Sequence, residues 1–250
     1  MKTLISLKKS KSGYIAEFKD LVVTLDPDIV YRYQLISGLE LEDNLYHQIL
    51  EAQGHLTFYK KAIFKLKKMM STHEMETYLQ KEGAKPAWIK QIIYTLLEKK
   101  YLDDHHYAAT FVELKKYSAG PDMIRHQLKE KGVSLALIES ALSKHQFTEI
   151  LDHLIEKKIQ TLKSKPKSQV LRSLKTYYVQ KGYAIESVDH ALSKLNHLYQ
   201  GNEEVLIQKD LEKLKKKYQE KLQGYELTET LKQKLYAKGY TYDLIKKVIS

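Results

Sequence analysis

The stretch Leu128–Ile138, LKEKGVSLALI, decides the fold, because a version of it occurs four times along the chain. The other three copies are LQKEGAKPAWI (79–89), YVQKGYAIESV (178–188) and LYAKGYTYDLI (235–245), and the shared frame centres on Gly83, Gly132, Gly182 and Gly239. An apolar or aromatic residue precedes each glycine by four positions, and apolar residues follow it by six and by ten positions. A glycine in the left-handed conformation closes one helix, and the flanking apolar residues pack that helix against the next. The pattern therefore predicts a helix, a glycine turn and a second helix in every copy.

The spacing of the copies indicates a tandem repeat. Successive glycines are 49, 50 and 57 residues apart, which is one helix more than a two-helix repeat of roughly 34 to 47 residues requires. We therefore predict a mainly α protein, built as an elongated array of three-helix repeats that presents extended surfaces. The predicted domains are a small β-containing extension (1–40), a helical linker with the first repeat (41–118), the second repeat (119–165), and the third repeat with C-terminal helices (166–250).

The first 25 residues differ from the rest. Three short segments rich in β-branched and aromatic residues, Thr3–Leu7, Gly13–Phe18 and Leu21–Leu25, are separated by turn residues and predict a three-stranded meander. Asp26 followed by Pro27 predicts a capped helix that ends at Gly38. From Glu42 onward the apolar residues recur at helical spacing, and Ser71-Thr-His-Glu74 has the sequence of a capping box.

Composition indicates the kind of partner. The 250 residues include 42 Lys and Arg against 31 Asp and Glu, a net charge of +11, so we expect the protein to bind a polyanion or an acidic protein surface. The chain has no cysteine, which excludes disulfides and thiolate chemistry and fits a reducing cytoplasm. No apolar stretch of 18 residues occurs, and the N-terminal apolar run is too short for a secretory signal. We expect a cytoplasmic protein that does not bind membranes.

The segment YLDDHHYAATF (101–111) raises the question of an enzyme, because two carboxylates and two imidazoles suit a metal or acid–base site. Adjacent helical residues point about 100° apart, so His105 and His106 cannot hold one ion together without a further ligand. The alternative interpretation is helix initiation, with Asp103 as the N-cap and Asp104 beside the positive end of the helix dipole. We favour helix initiation.

No other motif indicates catalysis. The sequence lacks a GxxxxGK[ST] phosphate loop, a GxGxxG fingerprint, a GxSxG elbow and an HExxH zinc motif. Acidic pairs such as Glu203 and Glu204, or Asp210 and Glu212, lie among lysines and are expected to form i,i+4 salt bridges on a solvated helix. We therefore expect no enzyme activity, no cofactor and no metal.

Several segments, in this order, resemble the RecX family of recombination regulators. They are Ala62-Ile-Phe-Lys-Leu66, the capped helix Ser71–Leu79, Tyr101-Leu-Asp-Asp104 with Tyr107 and Ala108, Ile124-Arg125, and Leu128-Lys-Glu-Lys-Gly-Val133. The resemblance covers residues 60–145 directly and 165–250 through the repeats, and the first 50 residues look like the extension of longer, Gram-positive-type members. Glu82 departs from the lysine that precedes the glycine in later copies, which puts a shared anion-binding role of the first copy in doubt.

The resemblance implies a function and a partner. Members of the family are tandem three-helix proteins without enzyme activity that bind the RecA–DNA filament and restrain its ATPase, strand-exchange and co-protease functions. By this resemblance the partners are RecA and its nucleoprotein filament, with weak binding to single-stranded DNA alone, and the protein is expected to act as a monomer in DNA repair, homologous recombination and the SOS response.

Charge placement predicts which residues bind. Equivalent positions of stacked repeats project in related directions, so basic residues near the glycines would form a basic stripe. We predict DNA or partner contacts for Arg125, Lys129, Lys131, Lys165, Lys167, Arg172, Lys175, Lys181, Lys232 and Lys238. The densest basic run, residues 157–175, has no acid after Glu156 and is the preferred region, whereas Lys213, Lys215, Lys216 and Lys217 are expected to be solvated.

The 19 tyrosines include several among the basic residues, an arrangement suited to stacking bases. For Tyr178 and Tyr183 the repeat frame instead indicates core packing, with the hydroxyl reaching water. Three functions stay open at this point. They are a regulator of the RecA filament, a direct nucleic-acid binder without RecA specificity, and a helical scaffold for an acidic protein.

Overall fold

The structure, a computed structural model, describes residues 1–249. The chain divides into two compact units. The first contains residues 1–107 together with 131–133, and the second contains residues 108–130 and the chain from residue 134 onward. The protein is mainly α-helical with a small antiparallel sheet at its N-terminus, as predicted.

The N-terminal sheet has the strand order β3-β2-β1-β4. Its strands are β1 (Lys2–Ser10), β2 (Gly13–Phe18), β3 (Val22–Leu25) and β4 (Glu40–Leu41). The first three form the predicted meander. The fourth was not predicted, because two residues carry no strand pattern and only their pairing with Lys2 and Thr3 defines them.

Helix α1 (Pro27–Arg32) begins where predicted, with the Asp26 side chain accepting a hydrogen bond from the backbone N–H of Asp28. The predicted end at Gly38 is wrong, because the helix ends at Arg32. Gln34 and Gly38 both have positive φ angles, and these reverse the chain toward β4.

The rest of the first unit contains three more helices, α2 (Asp43–Lys65), α3 (Thr72–Lys81) and α4 (Pro86–Glu98). The N-terminal half of α2 packs under the sheet with Leu4, Phe18 and Ile49 in one core, and its C-terminal half shares a second core with α3 and α4. A side chain at Gly54 would overlap the Trp88 ring, so this glycine lets α4 approach α2 closely. The predicted capping box is present at Ser71 and Glu74.

Nine helices follow up to residue 249. They are α5 (Asp104–Lys115), α6 (Pro121–Glu130), α7 (Leu135–Leu142), α8 (Phe147–Ile159), α9 (Lys167–Gln180), α10 (Ile185–Leu195), α11 (Glu203–Tyr218), α12 (Gly224–Lys238) and α13 (Tyr242–Ile249), with a 3₁₀ turn at Asn196–Leu198. One hydrophobic cluster joins α8, α9 and α10, and another joins α11, α12 and α13. The α8–α10 cluster spans residue 165, where the sequence analysis placed a repeat boundary; the domain boundaries remain a prediction.

The four repeat glycines have the predicted left-handed conformation. Their φ angles are +88° at Gly83, +74° at Gly132, +87° at Gly182 and +99° at Gly239. The residues four positions earlier, Leu79, Leu128, Tyr178 and Leu235, are all buried. The repeat frame is therefore confirmed as a set of helix-closing turns with apolar flanks.

Three of these glycine turns have a second role that the sequence did not predict. Gly132 packs against His73 in the first turn of α3, Gly182 against Met123 in the first turn of α6, and Gly239 against Ser168 in the first turn of α9. In each case an added Cβ would overlap the upstream helix. Around Gly83, in contrast, no atom of residues 1–249 outside its own turn lies within 4 Å of the added Cβ position.

Hydrogen bonds hold these contacts. The Ser71 hydroxyl donates to the Lys131 carbonyl at 2.5 Å, the Gly120 N–H donates to the Lys181 carbonyl at 2.6 Å, and the Ser168 hydroxyl donates to the Gly239 carbonyl. Each bond satisfies a carbonyl at the end of one helix, which would otherwise lack an intrahelical donor. Each of these three glycine turns thus ends its own helix. Each also contacts the start of another helix, which lies about sixty to seventy residues earlier in the sequence.

Candidate nucleic-acid interface

The second unit contains an open groove of about 320 Å³ with basic and aromatic walls. The turn after α5, the C-terminal half of α8, and the end of α9 with the turn that follows it form the groove. The residues lining it are Tyr117, Ser118, Leu154, Lys157, Lys158, Thr161, Tyr177, Tyr178, Lys181 and Tyr183. Three are lysines, four are tyrosines and none is acidic. Such a combination of cations and planar rings is the chemistry that single-stranded nucleic-acid sites use.

The lysines of the groove are positioned by the aromatic rings. Lys158 Nζ lies 3.7 Å from the centroid of the Tyr177 ring, and Lys181 Nζ lies 5.6 Å from the same centroid. A cation over a ring face is attracted by the ring quadrupole, by about 0.5–1 kcal/mol at exposed sites. Among residues 1–249 neither lysine, nor Lys157, forms an ion pair. Their positive charge is therefore available to an anion from outside.

The tyrosines divide into exposed and buried ones. Tyr117 and Tyr177 are 60% and 40% exposed, whereas Tyr178 and Tyr183 are buried in the core of α8–α10, as predicted. Burial raises the pKa of Tyr178 and of Tyr183 to about 12, so both phenols are neutral at physiological pH. The expectation that the hydroxyl reaches water is wrong for Tyr183, whose buried oxygen has no hydrogen-bond partner within residues 1–249.

Five of the ten residues predicted to bind a partner form internal ion pairs. Arg125 lies 2.6 Å from Glu139, Lys131 lies 2.6 Å from Glu74, Lys175 lies 2.7 Å from Asp189, Lys232 lies 2.8 Å from Glu229, and Lys238 lies 2.7 Å from Asp210. Arg125 and Lys175 occupy the same repeat position, seven residues before the glycine, and each pairs with an acid seven residues after it. The predicted basic stripe stays a prediction, and half of its charges already have an anionic neighbour.

The other five predicted residues lack an ion pair among residues 1–249. Lys129, Lys165 and Arg172 are exposed, and Lys181 lines the groove. Lys167 is half-buried at the start of α9, where its Nζ donates a hydrogen bond to the Asn196 side chain at 3.1 Å. The structure therefore brings Lys181, alone among the ten, into the groove.

Sequence reasoning missed three of the residues that form this groove. Lys157 and Lys158 lie within the basic run 157–175 but were not among the ten predicted contact residues. The sequence does not show which other elements of the fold pack beside a given position of a helix. Tyr117 carried no signal, since it is more than 35 residues from the other groove residues on α8 and α9. Only the tertiary structure, which places the turn after α5 beside α8, reveals it.

The acidic and histidine segment around Asp103 begins a helix, as predicted. Asp103 accepts a hydrogen bond from the backbone N–H of His106 at 2.9 Å, and this bond lowers the pKa of the Asp103 carboxyl. Asp104 accepts a hydrogen bond from the backbone N–H of Thr72 at 2.8 Å, which ties the start of α5 to the start of α3. Within the described part of the chain, no group of three or more His, Asp or Glu side chains could hold a metal ion.

The acidic residues of α11 have different partners from those predicted. The expected i,i+4 salt bridges are replaced by long-range pairs, of Glu204 with Lys247 and of Asp210 with Lys238, each at 2.7 Å. Asp210 also accepts a hydrogen bond from the Tyr240 hydroxyl at 2.9 Å.

Comparison with known proteins identifies the family. Residues 103–142 match the family model described as RecX, second three-helix domain. The chain is 30% identical to the regulatory protein RecX of Streptococcus gordonii over 257 aligned positions, which cover 98% of both chains. The chain belongs to the RecX family. A second relative, the regulatory protein RecX of Oceanobacillus iheyensis, is 31% identical and the match covers 90% of this chain and 86% of that one.

Solved structures of RecX proteins share the fold. A crystal structure of a regulatory protein RecX superposes with a TM-score of 0.60 at 19% identity, covering 77% of this chain and all of the other. The RecX of Lactobacillus salivarius gives a TM-score of 0.53 at 22% identity over 58% of this chain. None of the helices within residues 1–249 has the length and apolar character needed to cross a membrane.

Proposed function

We propose that the protein is a non-enzymatic regulator that binds the filament of RecA on single-stranded DNA and inhibits its ATPase, recombinase and co-protease activities. The observation that carries this proposal is membership of the RecX family over nearly the whole chain. The resemblance of the repeat segments to that family implies RecA as the partner. A protein with these partners would act in the cytoplasm.

The charge distribution supports a polyanionic partner. The net charge is +11, and internal pairing removes several of the basic side chains from the available surface. Lys165 and Arg172 are exposed and have no ion pair among residues 1–249. Together with the groove lysines, they are therefore the groups we assign to contacts with the filament. Basic groups that neutralise phosphates make binding fall steeply with rising salt.

A titration of RecA ATPase on single-stranded DNA tests the proposal. We expect added protein to inhibit the ATPase at concentrations at which it binds free single-stranded DNA only weakly. The double variant Lys165→Glu/Arg172→Glu should inhibit less, while Lys213→Glu/Lys216→Glu, with the same change in charge on exposed positions of α11, should inhibit nearly as well as the wild type. Circular dichroism would verify that both variants keep their helix content.

Two results would contradict the proposal. If the protein leaves RecA ATPase unchanged under conditions that permit filament formation, the regulatory role fails. If it inhibits an unrelated single-strand-dependent ATPase equally well, sequestration of DNA replaces filament-specific regulation. This second outcome would indicate a direct nucleic-acid binder. Of the alternative functions, this is the one that the basic groove supports best.

A further inference from the structure

A lysine precedes the repeat glycine in the second, third and fourth copies, and its surroundings differ between these copies. In the second copy Lys131 Nζ lies 2.6 Å from the Glu74 carboxylate. In the fourth copy Lys238 Nζ lies 2.7 Å from the Asp210 carboxylate, which also accepts a hydrogen bond from Tyr240, the residue after the glycine. These two copies thus provide an internal anion for their lysine.

The third copy lacks this internal anion. Lys181 and Tyr183 occupy the positions of Lys238 and Tyr240, but Lys181 forms no ion pair among residues 1–249 and the Tyr183 hydroxyl has no partner. On α8, which precedes this copy as α11 precedes the fourth, the residues that line the same groove are Leu154, Lys157 and Lys158. These α8 residues are one apolar side chain and two further cations, and none of them is acidic.

Three lysines line one groove that has no acidic residue in its walls, so the groove attracts an external anion. The cation–ring contacts of Lys158 and Lys181 with Tyr177 keep two of the ammonium groups at the groove. We propose that this groove binds the backbone and bases of a single-stranded nucleic acid, with Lys157, Lys158 and Lys181 on the phosphates. The inference rests on the proposed function in one respect, because it names the place where a filament regulator would contact DNA.

The aromatic walls favour a nucleic acid over other anions. Tyr117 and Tyr177 present 60% and 40% of their surface, and a base has the planar face that such rings stack against, whereas free phosphate or a run of Asp and Glu does not. The volume of about 320 Å³ is at the lower end of small-molecule sites, about 300–1,000 Å³, so the groove suits a nucleotide or two of a longer strand. The bases of a duplex are stacked on one another, so a duplex would offer no base face for the tyrosines to stack against.

Direct binding without RecA tests this inference separately from the proposed function. The probe is a fluorescein-labelled oligothymidylate of fifteen nucleotides, titrated with full-length protein at several salt concentrations. We expect Lys158→Ala and Lys181→Ala each to weaken binding roughly threefold to tenfold, and each to lower the slope of log affinity against log salt by about 0.7. The matched variants Lys213→Ala and Lys216→Ala, on exposed lysines outside the groove, should leave affinity and slope within about twofold of the wild type.

A crosslinking experiment tests the position of the bases. Irradiation of the complex with an oligonucleotide that carries 5-iodouridine should give adducts at Tyr117 or Tyr177, identified by mass spectrometry, and Tyr117→Ala should remove its own adduct. Adducts confined to other tyrosines would overturn the assignment of these walls.

Three further outcomes would also overturn the inference. Equal losses in the groove and control variants would show that binding is spread over the whole basic surface. Binding of oligothymidylate that is insensitive to Lys158→Ala and Lys181→Ala would place the DNA elsewhere. Binding of an oligoglutamate peptide that depends on Lys181, in the absence of oligonucleotide binding, would assign the groove to an acidic protein segment. None of these outcomes decides the proposed function, because inhibition of RecA ATPase by the wild type is measured in a separate experiment.

Discussion

The Lys131 Nζ atom lies 2.6 Å from Oε1 of Glu74, although the two residues are 57 positions apart in the sequence. Glu74 belongs to the first turn of α3 and Lys131 to the turn after α6. The other carboxylate oxygen of Glu74 accepts hydrogen bonds from the Ser71 N–H at 3.0 Å and from the Tyr107 hydroxyl at 3.1 Å. This carboxylate therefore joins a helix cap, a buried tyrosine and a glycine turn.

The pair predicts a pH dependence of stability. Burial raises the pKa of Glu74, but the hydrogen bonds from Lys131, Ser71 and Tyr107 outweigh it and lower the pKa below the model-compound value of 4.5. A carboxyl with a depressed pKa stabilises the fold above its unfolded pKa, and this stabilisation is lost as the pH falls through the folded pKa. We therefore expect the free energy of unfolding of the wild type to decrease as the pH is lowered below about 4.5, partly because Glu74 becomes protonated.

Glu74→Gln tests this contribution, since glutamine keeps the cap but not the charge. At neutral pH it should cost about 1–2 kcal/mol, and between pH 5 and pH 3 it should lose less stability than the wild type. Glu76→Gln, at an exposed position of the same helix, should behave like the wild type in urea denaturation at each pH. Parallel pH profiles for Glu74→Gln and wild type would show that the carboxylate is not linked to folding.

The repeat glycines allow backbone strain to be separated from packing. Gly83 and Gly182 have nearly the same φ angle, +88° and +87°. Within residues 1–249, an added Cβ meets no atom outside its own turn at Gly83, but it overlaps Met123 at Gly182. Gly83→Ala should therefore cost about 1 kcal/mol, the strain of a left-handed alanine. Gly182→Ala should cost at least 1–2 kcal/mol more, because the α6 terminus must move.

Thermal melting of the two alanine variants measures this difference. For a chain of this size, each kcal/mol should lower Tm by roughly 2–4 °C. Equal Tm values for the two variants would contradict the interpretation of Gly182 as a contact between a glycine turn and an upstream helix.

The two tyrosines that follow the third and fourth glycines should respond oppositely to loss of their hydroxyl. Tyr183 has a buried hydroxyl that lacks a partner in the described part of the chain, whereas the Tyr240 hydroxyl donates to Asp210 at 2.9 Å. Tyr183→Phe should leave stability unchanged or raise it by up to about 1 kcal/mol, and Tyr240→Phe should lower it by about 1–3 kcal/mol. Chemical denaturation measures both values, and a destabilised Tyr183→Phe would reveal a partner for that hydroxyl.

The start of α5 gives a further comparison. Asp103→Ala removes the acceptor for the His106 N–H and should cost about 1 kcal/mol. His105→Ala/His106→Ala should leave the proposed nucleic-acid binding and RecA inhibition unchanged, because the segment serves as a helix cap. Abolition of activity by the histidine substitutions or by a chelator, in a protein that stays folded, would show that the segment has a chemical role.

Much of the fold could be predicted from the sequence because it depends on local backbone chemistry. The apolar spacing around Gly83, Gly132, Gly182 and Gly239 predicted the helix pairs and the left-handed turns, and Ser71 and Asp103 predicted two helix starts. Each of these features depends on residues within about ten positions of one another. Strand β4 and the end of α1 were missed, since two strand residues and a positive φ at Gln34 leave too weak a pattern.

What the sequence by itself determined is therefore the repeat, the α-helical class and an excess of positive charge. Only the tertiary structure decided which charges are available, because an ion pair depends on elements that folding brings together from distant parts of the chain. It pairs Lys131 with Glu74 and Lys238 with Asp210, and it leaves Lys181 beside Lys158 and Tyr177 with no carboxylate among the residues that line their groove. The lysine at this position of the repeat is thus ion-paired in two copies but lines a groove without a carboxylate in a third, for a reason that no local pattern contains.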